Sequence, residues 1–189
     1  MSELLVRCSW ANTNPLMVEY HDTEWGVPLH DDQKLFEFLI LEGVQAGLSW
    51  NTVLQKRANY REVFSNFEAE KLINFSASDV ERLLLNPGII RNRLKIEATI
   101  INAKKFIEVQ REFGSFDKYI WGLVNSTPRK NNFKSLSEIP PYTPQSDILS
   151  KDLQKRGFKF VGSTICYAYM QAIGMVNDHL TDCFRHEQV

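Results

Sequence analysis

The sequence predicts an all-α fold on three observations. Apolar residues recur at spacings of three and four along most of the chain, capping residues stand ahead of those runs, and no series of alternating strands appears. Asp31 or Asp32 can cap a first long helix that runs to about residue 46. On it Leu35, Leu39, Glu42 and Ala46 share one face, which places a carboxylate among residues that should be buried. Ser49 can cap the next helix, through Val53, Leu54, Tyr60, Val63 and Phe64. Ser78-x-x-Glu81 has the form of a capping box ahead of Leu83 and Leu84. After Pro87-Gly88, a long helix carries Ile96, Ile100, Ile101, Ala103 and Ile107, and another covers residues 116–124. Residues 126–146 hold Pro128, Pro140, Pro141 and Pro144 among polar neighbours and read as a surface connection. Helix returns over residues 148–156 and 161–175. The expectation is a single unit over residues 1–189, built as two closely packed helical lobes.

A chain of 189 residues with 43% hydrophobic content can bury a sizeable core. The formal net charge is -1, so no global field points to nucleic acid or to a membrane. Arg91, Arg93 and Lys95 form one local basic cluster and Lys151, Lys155, Arg156 and Lys159 another; each also reads as a solvated helix face. No apolar stretch approaches the ~20 residues of a membrane span, and MSELLVRCSW lacks the apolar region of a signal peptide. These features lead us to expect a soluble, cytoplasmic monomer. Cys8, Cys166 and Cys183 are an odd set for a reducing compartment, so no disulfide framework is expected.

Three constellations carry chemistry. Cys8 with His21, and His179 with Cys183 on one turn of a C-terminal helix, can complete a tetrahedral Cys2His2 zinc site. Four protein ligands leave no open position, so such a zinc is structural and clips the two ends of the chain together. The alternative is two free cysteines and two unrelated surface histidines. Cys166 reads as a core residue, and His30 and His186 as surface residues. Second, LLLNPGIIRNRLKIEATI (83–100) has a helix–hairpin–helix pattern, the whole motif covering about residues 78–110. There Gly88 lets the backbone approach a phosphate and Arg91 and Arg93 add charge; a plain helical hairpin would show the same periodicity. Third, Trp10, Tyr20, Trp25, Glu42 and Trp50 can form a pocket for a flat cationic heterocycle, or be ordinary core with Glu42 paired to an Arg or Lys.

Six blocks, C-S-W (8–10), EYHDTEWGVP (19–28), LEGVQAGLSW (41–50), NPGIIRNRLKI (86–96), LSEIP (136–140) and RGFKFVGSTICYAYMQAIGMVNDH (156–179), occur in order over nearly the whole chain. Together they resemble the bacterial 3-methyladenine DNA glycosylase I family. The resemblance implies a helix–hairpin–helix glycosylase fold and one structural zinc held by Cys8, His21, His179 and Cys183. It implies base recognition by Glu42, with Tyr20, Trp50, Trp10 and Trp25 as pocket aromatics. Gln45, Gly47 and Leu48 would enter alkylated duplex DNA near the lesion, Leu48 as the wedge. Met17 departs from the tyrosine expected at the pocket edge. KKFIEVQREFGS (104–115) lacks the aspartate usual in the wider superfamily, and no lysine falls in a Schiff-base motif. The implied reaction is therefore monofunctional hydrolysis that releases 3-methyladenine and leaves an abasic site. The rival readings are a non-catalytic zinc-stapled DNA-binding module and a zinc hydrolase, the latter opposed by four matched ligands.

Overall fold

In the computed structural model, which describes residues 5–189, the helices are α1 (Pro15–Thr23), α2 (Asp32–Gln45), α3 (Trp50–Val63), α4 (Ala69–Leu72), α5 (Ala77–Leu84), α6 (Arg93–Phe113), α7 (Phe116–Gly122), α8 (Pro144–Lys155) and α9 (Ser163–Ala172). Short 3-10 turns at Ser9–Thr13, Ser65–Phe67 and Leu136–Glu138 join them. Among the described residues, the extended structure assigned is one parallel pair, β1 (Arg129–Lys130) against β2 (Val176–Asn177), in register Arg129 to Val176. No described helix is long and apolar enough to cross a membrane.

Helix α2 is the central strut. Every residue from Leu35 to Val44 is buried, the signature of a helix packed on all sides. It touches α3, α6, α7 and α9. Asp31 caps it, accepting from the Lys34 amide at 2.9 Å. Asp32 does other work: its carboxylate accepts from the Phe116 and Asp117 amides, both at 2.8 Å, and so holds the start of α7 against α2.

Several expected boundaries shift for identifiable reasons. The capping box is Ser76 with Asp79, two residues ahead of the Ser78–Glu81 reading. That frees Glu81 on the helix surface to bind Arg93 at 2.7 Å. Helix α8 starts at Pro144 because Thr143 caps it and proline suits the first helical position, so one of the four prolines begins a helix instead of breaking one. Residues 126–146 are less irregular than expected, since they contribute β1 and a 3-10 turn. His186 is buried, not exposed, with Nε2 at 2.9 Å from the Asn131 carbonyl. Cys166 is a core residue, as expected. The cluster at Lys151–Lys159 is a solvated face, with Arg156 paired to Glu112 and Asp152.

Candidate active site

Five segments converge on one cavity. Tyr20 comes from α1, Trp10 from the preceding 3-10 turn, Trp25 from the chain after α1, Glu42 from the last turns of α2, and Trp50 from the first position of α3. They line a hollow of about 300 Å³ together with Gln45, Leu136, Ile139, Ala168 and Gln171. The rings support one another: Tyr20 and Trp50 lie 5.2 Å apart between centroids, and Trp10 meets Trp25 edge-on at 5.0 Å. All five residues of the third constellation are therefore brought together. Met17 is buried in the core and is not among the residues lining this hollow.

Two glutamates of α2 show why Glu42 is unusual. Glu37 is buried and paired, taking Arg57 and Arg61 on one carboxylate. The Arg57 guanidinium also lies over Phe38 at 4.8 Å, and Phe38 stacks behind Trp50, so this ion pair backs the aromatic wall. Glu42 is buried as well, but its Oε2 has no hydrogen-bond partner among the described residues. Burial pushes its carboxyl up to about 8. Trp50 Nε1 is likewise buried and unpaired, which leaves an acceptor and a donor free on the cavity residues.

Beyond Glu42, the chain turns sharply. Ala46 leaves helical geometry, and Gly47 adopts φ +78°, a conformation that favours glycine. The turn exposes Gly47 and leaves Leu48 38% exposed, an apolar side chain directed away from the core. Gln45, Gly47 and Leu48 also border a second hollow that shares Glu42 with the first. On the hairpin between α5 and α6, the Gly88 amide donates to Asn86 Oδ1 at 2.7 Å and the Ile90 amide to the Tyr60 hydroxyl at 3.0 Å. Two hairpin amides are thus bonded internally. A Cβ at Gly88 would meet the side chains of Asn59 at 2.7 Å and Asn86 at 2.9 Å, so a larger residue there would displace those two side chains. Arg91 is exposed, whereas Arg93 is paired with Glu81 and Lys95 is buried, so the expected basic cluster reduces to one exposed unpaired residue.

Cys8, His21, His179 and Cys183 are all buried, with ligand atoms within 4.8 Å of one another, and this group can hold a metal ion. Cys8 precedes the first 3-10 turn and His21 lies near the end of α1. His179 and Cys183 sit on irregular turns after β2, a correction to the expected C-terminal helix. Both imidazoles are oriented from behind. His21 Nδ1 is 2.8 Å from Asp22, itself held by Arg7, and His179 Nε2 is 3.0 Å from the Trp25 carbonyl. That leaves His21 Nε2 and His179 Nδ1 facing Cys183 at 3.4 and 3.5 Å. Burial pushes the Cys8 thiol up to about 12 and His179 down to about 4.

Sequence reasoning did not assign a role to Leu136, Ile139, Ala168 or Gln171, all of which line the cavity. Ala168 and Gln171 are three apart on α9, a usable periodic signal, but a small alanine reads as core until its neighbours are known. Asp22 was hidden for a similar reason: its partner Arg7 is distant in sequence.

The methyladenine glycosylase family pattern matches residues 10–186. The chain is 52% identical over 177 residues to DNA-3-methyladenine glycosylase 1 of Escherichia coli strain K12, covering 94% of this chain and 95% of that relative. It is 46% identical over 180 residues to the DNA-3-methyladenine glycosylase of Haemophilus influenzae, covering 95% and 97%. A crystal structure of 3-methyladenine DNA glycosylase I superposes with a TM-score of 0.92 at 52% identity, over 95% of this chain and 98% of the other. The Staphylococcus aureus enzyme, in a structure concerned with 3-methyladenine recognition, gives 0.91 at 37% identity, over 94% and 95%.

Proposed function

The chain belongs to the methyladenine glycosylase family, and from that membership and the cavity around Glu42 we propose that it is a DNA-3-methyladenine glycosylase. It hydrolyses the N-glycosidic bond of cationic 3-methyladenine in alkylated duplex DNA and leaves an abasic site. The observation that carries this reading is the unpaired Glu42 carboxyl among four aromatic side chains. A non-catalytic backbone binder has no use for such a group.

The chemistry follows from the charges. Extracting a base from duplex DNA costs a few kcal/mol. Leu48, exposed at the tip of its turn, occupies the opened stack. Tyr20, Trp50, Trp10 and Trp25 surround the flipped ring, and stacking favours a cationic base over neutral adenine by about 0.5–2 kcal/mol. In the empty cavity at pH 7, Glu42 is mostly protonated, since its carboxyl titrates near 8. A cation beside it favours the carboxylate, so Glu42 releases its proton and accepts from the exocyclic amine of the base. The C1′–N bond then breaks with its electron pair going to the ring, so the base leaves neutral. Positive charge moves to the sugar, where the Glu42 carboxylate stabilises it. Water adds at C1′ and loses a proton, giving the abasic sugar. Gln45 and Gly47 line the DNA beside the wedge, and on the hairpin side Gly88 lets the phosphate backbone approach closely while Arg91 holds it.

The buried Cys8, His21, His179 and Cys183 hold one structural zinc. A tetrahedral zinc with sulfur and nitrogen ligands has S···N edges of about 3.5 Å. Cys183 lies 3.4 and 3.5 Å from the two imidazole nitrogens and Cys8 lies 3.8 Å from His179, which supports this assignment. The ion joins the N-terminal turn to the chain beyond β2 and takes no part in base release. We further assign the chain as one cytoplasmic, monomeric glycosylase unit of two packed helical lobes.

The direct test is base release from methylated duplex DNA, with 3-methyladenine and 7-methylguanine quantified separately. Release of 3-methyladenine is expected, and its absence refutes the assignment. If Glu42→Gln weakens base affinity but excises from bound DNA at the wild-type rate, Glu42 is a recognition residue with no part in bond cleavage.

A further inference from the structure

Lys95 is the one basic residue of the hairpin segment that turns inward. It is 8% exposed, and its Nζ donates to the Val44 carbonyl at 2.6 Å and the Ala46 carbonyl at 2.7 Å. Those carbonyls end α2, where the helix leaves its last acceptors unpaired and its dipole favours a cation. No carboxylate is within ion-pair distance of Lys95 among the described residues, so the helix end supplies its counter-charge. Burial pulls its ammonium below the ordinary lysine value, as expected for a charge held by dipoles alone.

The two ends of this contact matter. Lys95 sits in the first turn of α6, where Asn92 caps its amide at 3.2 Å, directly after the hairpin. At its other end lies the turn that carries Gln45, Gly47 and Leu48. That turn is otherwise loosely held. It has its own Leu48-to-Gln45 bond and the Ser49 cap of α3, it is exposed at Gly47, Leu48 and Ser49, and it borders an open hollow on the α9 side. Among the described residues, the hydrogen bonds reaching residues 44–49 from outside the α2–α3 segment are the two from Lys95. The lysine does not line the aromatic cavity; it lies on the opposite side of α2, beside Ile40 and Gly43.

We propose that Lys95 is a positioning residue for base extraction: it ties the hairpin that rests on the phosphate backbone to the turn that carries the Leu48 wedge. The two DNA-facing elements then keep a fixed offset, and the wedge meets the stack at a set distance from the backbone anchor. This inference rests on the glycosylase reading above. It predicts a defect largest on duplex DNA and absent from free-base binding, because free base needs the cavity but not the wedge.

The test uses full-length, zinc-loaded protein with Lys95→Met, which keeps an unbranched side chain but removes all donors, and Lys95→Gln, which restores one short donor group. Three quantities are measured: melting temperature, affinity for free 3-methyladenine, and single-turnover release of 3-methyladenine from methylated duplex and single-stranded DNA. The expected result for Lys95→Met is at least a tenfold slower duplex reaction, free-base affinity within twofold of wild type, and a smaller loss on single strands. Combining Lys95→Met with Leu48→Gly should slow the duplex reaction no further than the worse single variant. The proposal is overturned if duplex release stays within twofold of wild type. It is also overturned if free-base affinity falls by the same factor as release, or if neither variant folds, since Lys95 is then only a core strut. Wild-type protein that releases no 3-methyladenine refutes the glycosylase reading itself, a result separate from any of these.

Discussion

Replacing Glu42 by glutamine should stabilise the protein while impairing its activity, and the pH dependence of the gain identifies its cause. In the unfolded chain the Glu42 carboxyl ionises near its ordinary value of 4.5, and in the folded chain near 8. Between these values the folded state holds a proton that the unfolded state has released, so stability falls as pH rises. The slope is about 1.4 kcal/mol per pH unit, which accumulates to about 3 kcal/mol at pH 7 and about 5 kcal/mol above pH 8. Glutamine is similar in shape and never ionises. The difference in unfolding free energy between Glu42→Gln and wild type should therefore be small at pH 4.5 to 5 and grow to about 3 kcal/mol in favour of the variant at pH 7. At this chain length that corresponds to a rise in melting temperature of roughly 6–12 °C. Urea unfolding of both proteins at pH 5, 6, 7 and 8 measures it, and other titrating groups cancel in the difference. A difference that stays constant across this range would refute the account of Glu42 as an uncompensated buried acid. Over the same range, kcat/KM of wild type should climb toward pH 8 as the empty cavity ionises, and the variant should lack that limb.

Other perturbations separate the parts of the molecule. Stripping the metal with a chelator, or substituting His179→Ala, should lower the melting temperature by at least 10 °C, because buried thiols and imidazoles are left crowded without a cation; bound-zinc stoichiometry and calorimetry report it. Leu48→Ala should slow 3-methyladenine release from duplex DNA at least tenfold, since unstacking a base costs a few kcal/mol, while free-base affinity stays unchanged in a fluorescence titration. Glu37→Ala should destabilise by about 1–3 kcal/mol in chemical denaturation, because the buried Arg57 guanidinium then keeps only its bond to Glu24. Gly47→Ala has open space for its methyl group, so its cost should be the backbone strain at φ +78° alone, about 1 kcal/mol in the same assay.

Helix existence was readable from the sequence because burial on one face imposes a period that needs no knowledge of partners. α2, α3 and α6 were legible for that reason. Boundaries were less so, since they depend on which of several nearby polar residues wins the cap: Ser76 over Ser78, and Thr143 with Pro144 over a loop. The five cavity residues and the four metal-ligand candidates were also legible, carried by residue types with few other uses and by the family blocks. What stayed hidden depended on distance. Lys95 sits in a basic run that looks solvated, and its inward turn is set by carbonyls about fifty residues away. His186 looked exposed because its acceptor, Asn131, lies on a different strand connection.

Glu37 and Glu42 stand on one helix, equally buried, and differ only in what faces them. Arginines meet Glu37, so its charge is compensated within the protein and its pair supports the Phe38–Trp50 wall. Among the described residues nothing charged bonds to Glu42, and the compensation must come from outside. A protein selected for stability alone would not keep the second arrangement, because a neutral isostere removes a penalty of about 3 kcal/mol at neutral pH. On the proposed reading, the same missing partner discriminates a cationic base from neutral adenine: the cation relieves the penalty on binding, and the neutral base does not. The destabilisation of the empty site and its selectivity are then one quantity seen from two sides. A Glu42 variant that gained stability at neutral pH without losing preference for the cationic base would break that identity.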